Sequence, residues 1–167
     1  FLNQNVPELL SKVQAYGHAL HVRHQVGKLD AAPVEAAYEA SGIEHAVLSY
    51  IDDMAAAYTW ADFAVTRAGS GTVSELAAAR LPALLVPFPF AAGDHQAANA
   101  MAFADAGGGF WSRQKDWNSE KLADRIASLM SDTGAMDRAV KGAFAVARPD
   151  AASAVIADCE RLMEGRW

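Results

Sequence analysis

Residues 62–90, DFAVTRAGSGTVSELAAARLPALLVPFPF, constrain the fold more than any other stretch of the chain. Two short apolar runs, 62–67 and 83–88, read as strands. The alanine-rich segment between them, from about residue 72 to residue 80, reads as a helix. Strand, glycine turn, helix and strand follow one another with almost no connecting residues. That is the pattern of an α/β domain with a mainly parallel sheet.

The same alternation runs through the rest of the chain. A helix is expected over 3–16, with Val6, Leu9, Leu10 and Val13 on one face and Gly17 at its end. Residues 18–25 are β-like, 30–40 helical with Pro33 in the first turn, and 45–50 a strand. A short helix then starts at Asp52 or Asp53, either of which is a suitable cap. Further helices are expected over 95–106, stopped by Gly107, Gly108 and Gly109, and over 119–130, 134–146 and 151–163. A doubly wound domain ordinarily opens with its central strand and a glycine-rich turn, whereas this chain opens with a helix. The expectation is a Rossmann-like parallel sheet with flanking helices that lacks its first, middle strand. An apolar slot would mark that position, filled by chain upstream of Phe1 or by another chain. Residues 1–167 read as one domain.

Composition narrows the function classes. The formal net charge is −6, which argues against nucleic acid as a partner, since phosphate backbones call for clustered Lys and Arg. A single cysteine, Cys159, cannot form an internal disulfide and fits a reducing compartment. No apolar run approaches the roughly 20 residues that span a bilayer, and no secretory leader is evident. His18, His21 and His24 do not make a metal set, because strand alternation turns His21 away from the other two and no Cys or carboxylate completes the ligands. No Ser-His-Asp arrangement is apparent, and Asp52 and Asp53 are not a facing carboxylate pair.

Three short motifs carry chemistry. In RAGSGTVSE, Gly69 and Gly71 permit a tight turn, while Ser70 and Thr72 are candidate caps. The free N–H groups of the helix that follows suit an anion such as a diphosphate. Glu75, one turn in, is placed to accept hydrogen bonds from a ribose diol. Alone, these residues read more simply as a capped turn with a favourable carboxylate near the helix start. In GDHQAANA, Gln96 and Asn99 share a helix face, and neutral amides suit sugar hydroxyls because they both donate and accept; the plainer alternative is an Asp94-capped surface helix. In YIDDMAAAY, Ile51 and the adjacent backbone turn end a strand where a planar base can lie, or simply precede a surface helix.

Taken together, residues 50–107 resemble the C-terminal domain of the MurG family, the bacterial N-acetylglucosaminyltransferases that form lipid II in peptidoglycan synthesis. The likeness continues more weakly upstream, at FLNQNVPELL and HQVGKLD, and downstream. It implies the C-terminal, donor-binding half of a two-domain GT-B glycosyltransferase that inverts the anomeric carbon and needs no bound metal or other cofactor. It also implies that Ile51 reads uracil through its main chain. Ser70, Gly71, Thr72, Val73 and Ser74 would cradle the diphosphate of UDP-N-acetylglucosamine, Glu75 would meet the ribose, and Gln96 and Asn99 the sugar hydroxyls. The general base would lie in an N-terminal acceptor domain, which takes lipid I at the inner face of the cytoplasmic membrane. The segment from about residue 150 onward would pack toward that domain. Two other readings remain: a small soluble donor-binding subunit of a two-chain glycosyltransferase, and a related UDP-sugar glycolipid synthase domain.

Overall fold

The computed structural model describes residues 1–163. It opens with α1 (Leu2–Ala15), β1 (His21–Gln25), α2 (Ala32–Ser41) and β2 (Glu44–Leu48). Then come α3 (Met54–Trp60), β3 (Ala64–Thr66), α4 (Ser70–Ala79), β4 (Ala83–Leu85), α5 (His95–Asp105) and β5 (Gly109–Trp111). Three helices close the described chain: α6 (Ser119–Ser131), α7 (Thr133–Ala145) and α8 (Ala151–Met163). The expected helices and the four expected strands are all present, with ends shifted by a few residues. Asp53, not Asp52, caps α3, its Oδ1 accepting the Ala56 N–H at 2.9 Å. Pro33 sits in the first turn of α2 as its missing N–H allows.

All strand pairs are parallel. β1 pairs with β2, His21 opposite Glu44. β3 pairs with β4 and β4 with β5, with Ala83 opposite both Ala64 and Gly109. The middle strand β4 is wholly buried. Leu76, Phe103 and Ala143 of α4, α5 and α7 cover one face of this sheet, and Leu9, Val13 and Ile126 of α1 and α6 cover the other. Val34 and Tyr38 of α2 cover one side of the β1–β2 pair.

β5 is a strand that its sequence does not announce. Only Phe110 and Trp111 separate the glycines from a polar loop, too few to show a periodicity. Gly109 makes the pairing possible. Its φ is +138°, and a Cβ there would run into the carbonyl of Ala83. Gly142 plays the matching part on α7, since a Cβ would collide with the backbone of Gly107.

β1 and β3 do not pair with each other. Between them runs a cleft of about 780 Å³, lined on one side by Val22 and His24 and on the other by Val65 and Thr66, with Leu10 and Val13 of α1 beneath. Among the described residues no strand occupies that position, which is where the expected slot should fall. α8 has no buried residue, and its Val155, Ile156, Leu162 and Met163 are exposed. Residues 164–167 of the expected terminal segment lie outside the described residues. Among those described, no helix is long and apolar enough to cross a membrane.

Candidate functional site

The carboxyl end of β3 leads through Arg67, Ala68 and Gly69 into α4. Gly69 is the N-cap, in an extended conformation, and its carbonyl accepts the Val73 N–H at 2.9 Å. No side chain caps the helix. Thus α4 begins at Ser70 rather than at Thr72, and neither Ser70 nor Thr72 caps it, contrary to the sequence expectation. The physical consequence is a more open helix start. Among the described residues, no side-chain acceptor sits on the first-turn N–H groups of Ser70, Gly71 and Thr72, which carry the positive end of the helix dipole. Ser70, Gly71 and Ser74 are exposed, and Thr72 and Val73 half-buried.

Arg67 is the cation beside this turn. Its Nη1 donates to the carbonyls of Val86 and Pro87 at 3.2 and 3.3 Å and to Gln114 Oε1 at 2.7 Å. The Phe88 ring lies 5.6 Å from its guanidinium carbon. Burial lowers the Arg67 pKa, but an arginine starts so high that it stays charged at neutral pH. The positive charge is therefore held in a fixed place at the strand end.

The amides of α5 are partly committed. Gln96 Oε1 accepts the Phe88 N–H at 2.9 Å, so its NH₂ group remains to donate. Asn99 Nδ2 donates to the Ala68 carbonyl at 3.0 Å, leaving Oδ1 to accept. Asn99 thereby ties α5 to the turn that starts α4. Arg113 and Asp94 form a two-bond pair at 3.0 and 2.6 Å that holds the loop before α5 against the segment after β5.

On the other side of the turn, the Ile51 N–H donates to Gln25 Oε1 at 2.9 Å, which orients the backbone at the end of β2 against β1. Glu75 accepts a hydrogen bond from the Tyr58 hydroxyl at 2.8 Å. Ile51, Thr72 and Glu75 line one cleft together with Arg67 and Tyr58. It is the same cleft that separates β1 from β3. Ser70, Gly71, Val73 and Ser74 lie on the same helix start, and Gln96 and Asn99 flank it from α5. Sequence reasoning missed Gln25, Tyr58 and Gln114, and left Arg67 without a role. These act through contacts with residues far along the chain, and no local spacing signals them.

The histidines separate as strand alternation requires. His21 is exposed beside Glu44, whereas His24 is buried between Tyr38 Oη, 2.9 Å from Nδ1, and Asn3 Oδ1, 3.2 Å from Nε2.

Parallel strands joined by helices, with an uncapped helix N-terminus at the carboxyl end of a strand, define a Rossmann-like domain whose open end suits a phosphorylated ligand. Residues 1–155 match the Glycosyltransferase family 28 C-terminal domain, and the chain belongs to that family. It is 44% identical over 161 residues to the UDP-N-acetylglucosamine--N-acetylmuramyl-(pentapeptide) pyrophosphoryl-undecaprenol N-acetylglucosamine transferase of Thiobacillus denitrificans, covering 96% of this chain and 43% of that protein. The equally named protein of Aromatoleum aromaticum is 44% identical over 165 residues, 99% of this chain and 45% of its own length. Among solved structures, the crystal structure of Acinetobacter baumannii MurG superposes with a TM-score of 0.84 at 33% identity, over 96% of this chain and 46% of that one. A calicheamicin glycosyltransferase, at TM-score 0.60, 19% identity and coverage of 93% and 38%, shares the fold alone.

The chain spans less than half the length of the curated relatives it matches. Those relatives carry the matched region within one longer chain and are named as N-acetylglucosamine transferases. Neither the small separate subunit nor the glycolipid synthase is favoured.

Proposed function

We propose that this chain is the donor-binding half of an inverting glycosyltransferase that moves N-acetylglucosamine from UDP-N-acetylglucosamine to lipid I, forming lipid II. The observation that carries the reading is the uncapped start of α4, with Glu75 and Ile51 on the cleft beside it. In this reading the diphosphate lies against the N–H groups of residues 70–72, with Val73 and Ser74 completing the turn around it. The uracil meets the main chain at Ile51, the ribose meets Glu75, and the sugar hydroxyls meet the free halves of the Gln96 and Asn99 amides.

The chemistry follows from where charge develops. The acceptor hydroxyl attacks the anomeric carbon, its proton passing to a base in an acceptor domain outside these residues. The C–O bond to the diphosphate breaks, and UDP leaves with added negative charge. Helix N–H groups already aimed at that charge, with Arg67 beside them, stabilise the transition state without reorganising. Fixed dipoles rather than a metal do this work. The acceptor domain sits at the inner face of the cytoplasmic membrane, and the exposed apolar residues of α8 pack toward it.

Titration of the complete natural protein with UDP-N-acetylglucosamine, UDP-glucose and UDP-galactose tests the donor assignment. The first should bind most tightly, and EDTA should leave its affinity unchanged. Equal affinity for all three sugars would sink the assignment. The 167 residues alone should form no lipid II, for want of the base.

A further inference from the structure

Glu75 has one hydrogen-bond partner among the described residues, the hydroxyl of Tyr58 at 2.8 Å to Oε2. The two residues come from different elements. Tyr58 lies in α3, and its ring packs against the core beneath α4 that includes Ala68 and Leu76. Glu75 is exposed at the mouth of the cleft. A glutamate on a helix surface ordinarily samples many rotamers, and binding would have to freeze them. Here a half-buried phenol anchored in the core holds one carboxylate oxygen and leaves the other free.

The direction of that bond is settled by environment. Burial, and then the neighbouring Glu75 carboxylate, raise the Tyr58 pKa well above its usual value. The phenol therefore stays protonated and donates at any working pH. A neutral donor fixed in the core is the arrangement that sets a ligand-binding carboxylate without neutralising it.

We propose that Tyr58 is a positioning residue that presets the Glu75 carboxylate, so that the cleft selects a ribose diol over a 2′-deoxyribose in the nucleotide it binds. This rests on the donor-site reading above. The bonds are additive in kind: Tyr58 takes one oxygen of Glu75, and the vicinal hydroxyls of the sugar take the other. A carboxylate already held in that pose loses little freedom when the diol arrives. One left free must be ordered at the moment of binding.

The test compares UDP with 2′-deoxy-UDP by calorimetric titration of the complete natural protein, as wild type, Tyr58→Phe, Glu75→Ala and the double variant. Tyr58→Phe keeps the ring in its core contacts and removes only the donor. The wild type should prefer UDP, and Glu75→Ala should abolish the preference. Tyr58→Phe should weaken UDP binding about 3- to 10-fold, the range of a single hydrogen bond, while 2′-deoxy-UDP changes less than about 2-fold. Its effect should vanish in the Glu75→Ala background, because two groups acting through one contact are not additive. Equal weakening of both nucleotides by Tyr58→Phe, or no change in either, would overturn the positioning role. A wild type that binds no UDP, or binds both nucleotides alike, would instead overturn the donor-site reading itself. A crystal structure of the unaltered protein with UDP gives a check independent of any variant. Tyr58 should remain on one Glu75 oxygen with the diol on the other, and a carboxylate turned away from Tyr58 would refute the proposal.

Discussion

The β3–β4–β5 sheet and the β1–β2 pair follow the same parallel backbone rules and differ in what covers them. In β4 every residue, Ala83, Leu84 and Leu85, is fully buried, because helices press on both faces. Along β1 the exposure alternates: His21, Arg23 and Gln25 are exposed, Val22 is half-buried and His24 buried. β2 alternates likewise, with Ala46 and Leu48 exposed. Full burial marks the strand covered on both faces, and alternating exposure marks the strands covered on one. The candidate site straddles the boundary. One side of it, the start of α4, grows out of the doubly covered sheet, while the other, Ile51, is tied through Gln25 to the singly covered pair.

Three experiments break or sharpen that contrast. The largest effect should come from Leu84→Ala, which leaves a hole in a site with no exposure and should cost about 2–5 kcal/mol. The equivalent truncation in the β1–β2 pair, Val47→Ala, removes part of a half-buried side chain and should cost about 1 kcal/mol. Equal losses in urea denaturation would show that the two regions are not covered as differently as described.

A smaller separation should appear at two glycines with positive φ. Gly109→Ala adds a methyl against the Ala83 backbone as well as strain, and should cost at least about 2 kcal/mol. Gly27→Ala, just beyond β1, meets open space and should cost only the left-handed penalty of about 1 kcal/mol. Thermal melts of the two variants rank them, and the reverse order would contradict the tight β4–β5 approach.

The smallest effect is a pH dependence local to the β1–β2 side. Burial lowers the His24 pKa below its ordinary 6.5. The unfolded chain then binds more protons than the folded one in the window between the lowered value and 6.5. Stability is full above pH 6.5 and falls as the pH drops through that window, levelling off below it. In His24→Asn this part of the pH dependence should disappear from melting curves taken between pH 7.5 and 5. An unchanged slope would show that His24 is not buried neutral.

Much of this architecture is legible in the chain. The helix periods around Leu9 and Val13, the Asp53 cap, the proline in the first turn of α2 and the apolar run of β4 are local signals, each read within a few residues. The candidate site is legible to the same extent. The turn 69–72 and Glu75 form one contiguous segment, so a helix start and its first carboxylate come together automatically. β5 was not legible, because two residues between glycines and a polar loop have no period to read. Nor was the cap. Serine and threonine beside a glycine predict a side-chain cap, whereas the structure uses Gly69 and leaves the first N–H groups open.

Element order, the α/β class and the contiguous segment of the site follow from the chain alone, because each depends on neighbours within a turn or a strand. Which groups the site can still offer is set by long-range packing. Tyr58 reaches Glu75, Gln25 reaches Ile51, Asn99 reaches Ala68, and Arg67 reaches Gln114, across separations of 17, 26, 31 and 47 residues. No spacing rule spans such distances. The packing of α3, α4 and α5 around β3 and β4 joins Tyr58 to Glu75 and Asn99 to Ala68, the β1–β2 pairing brings Gln25 to Ile51, and the segment after β5 brings Gln114 to Arg67.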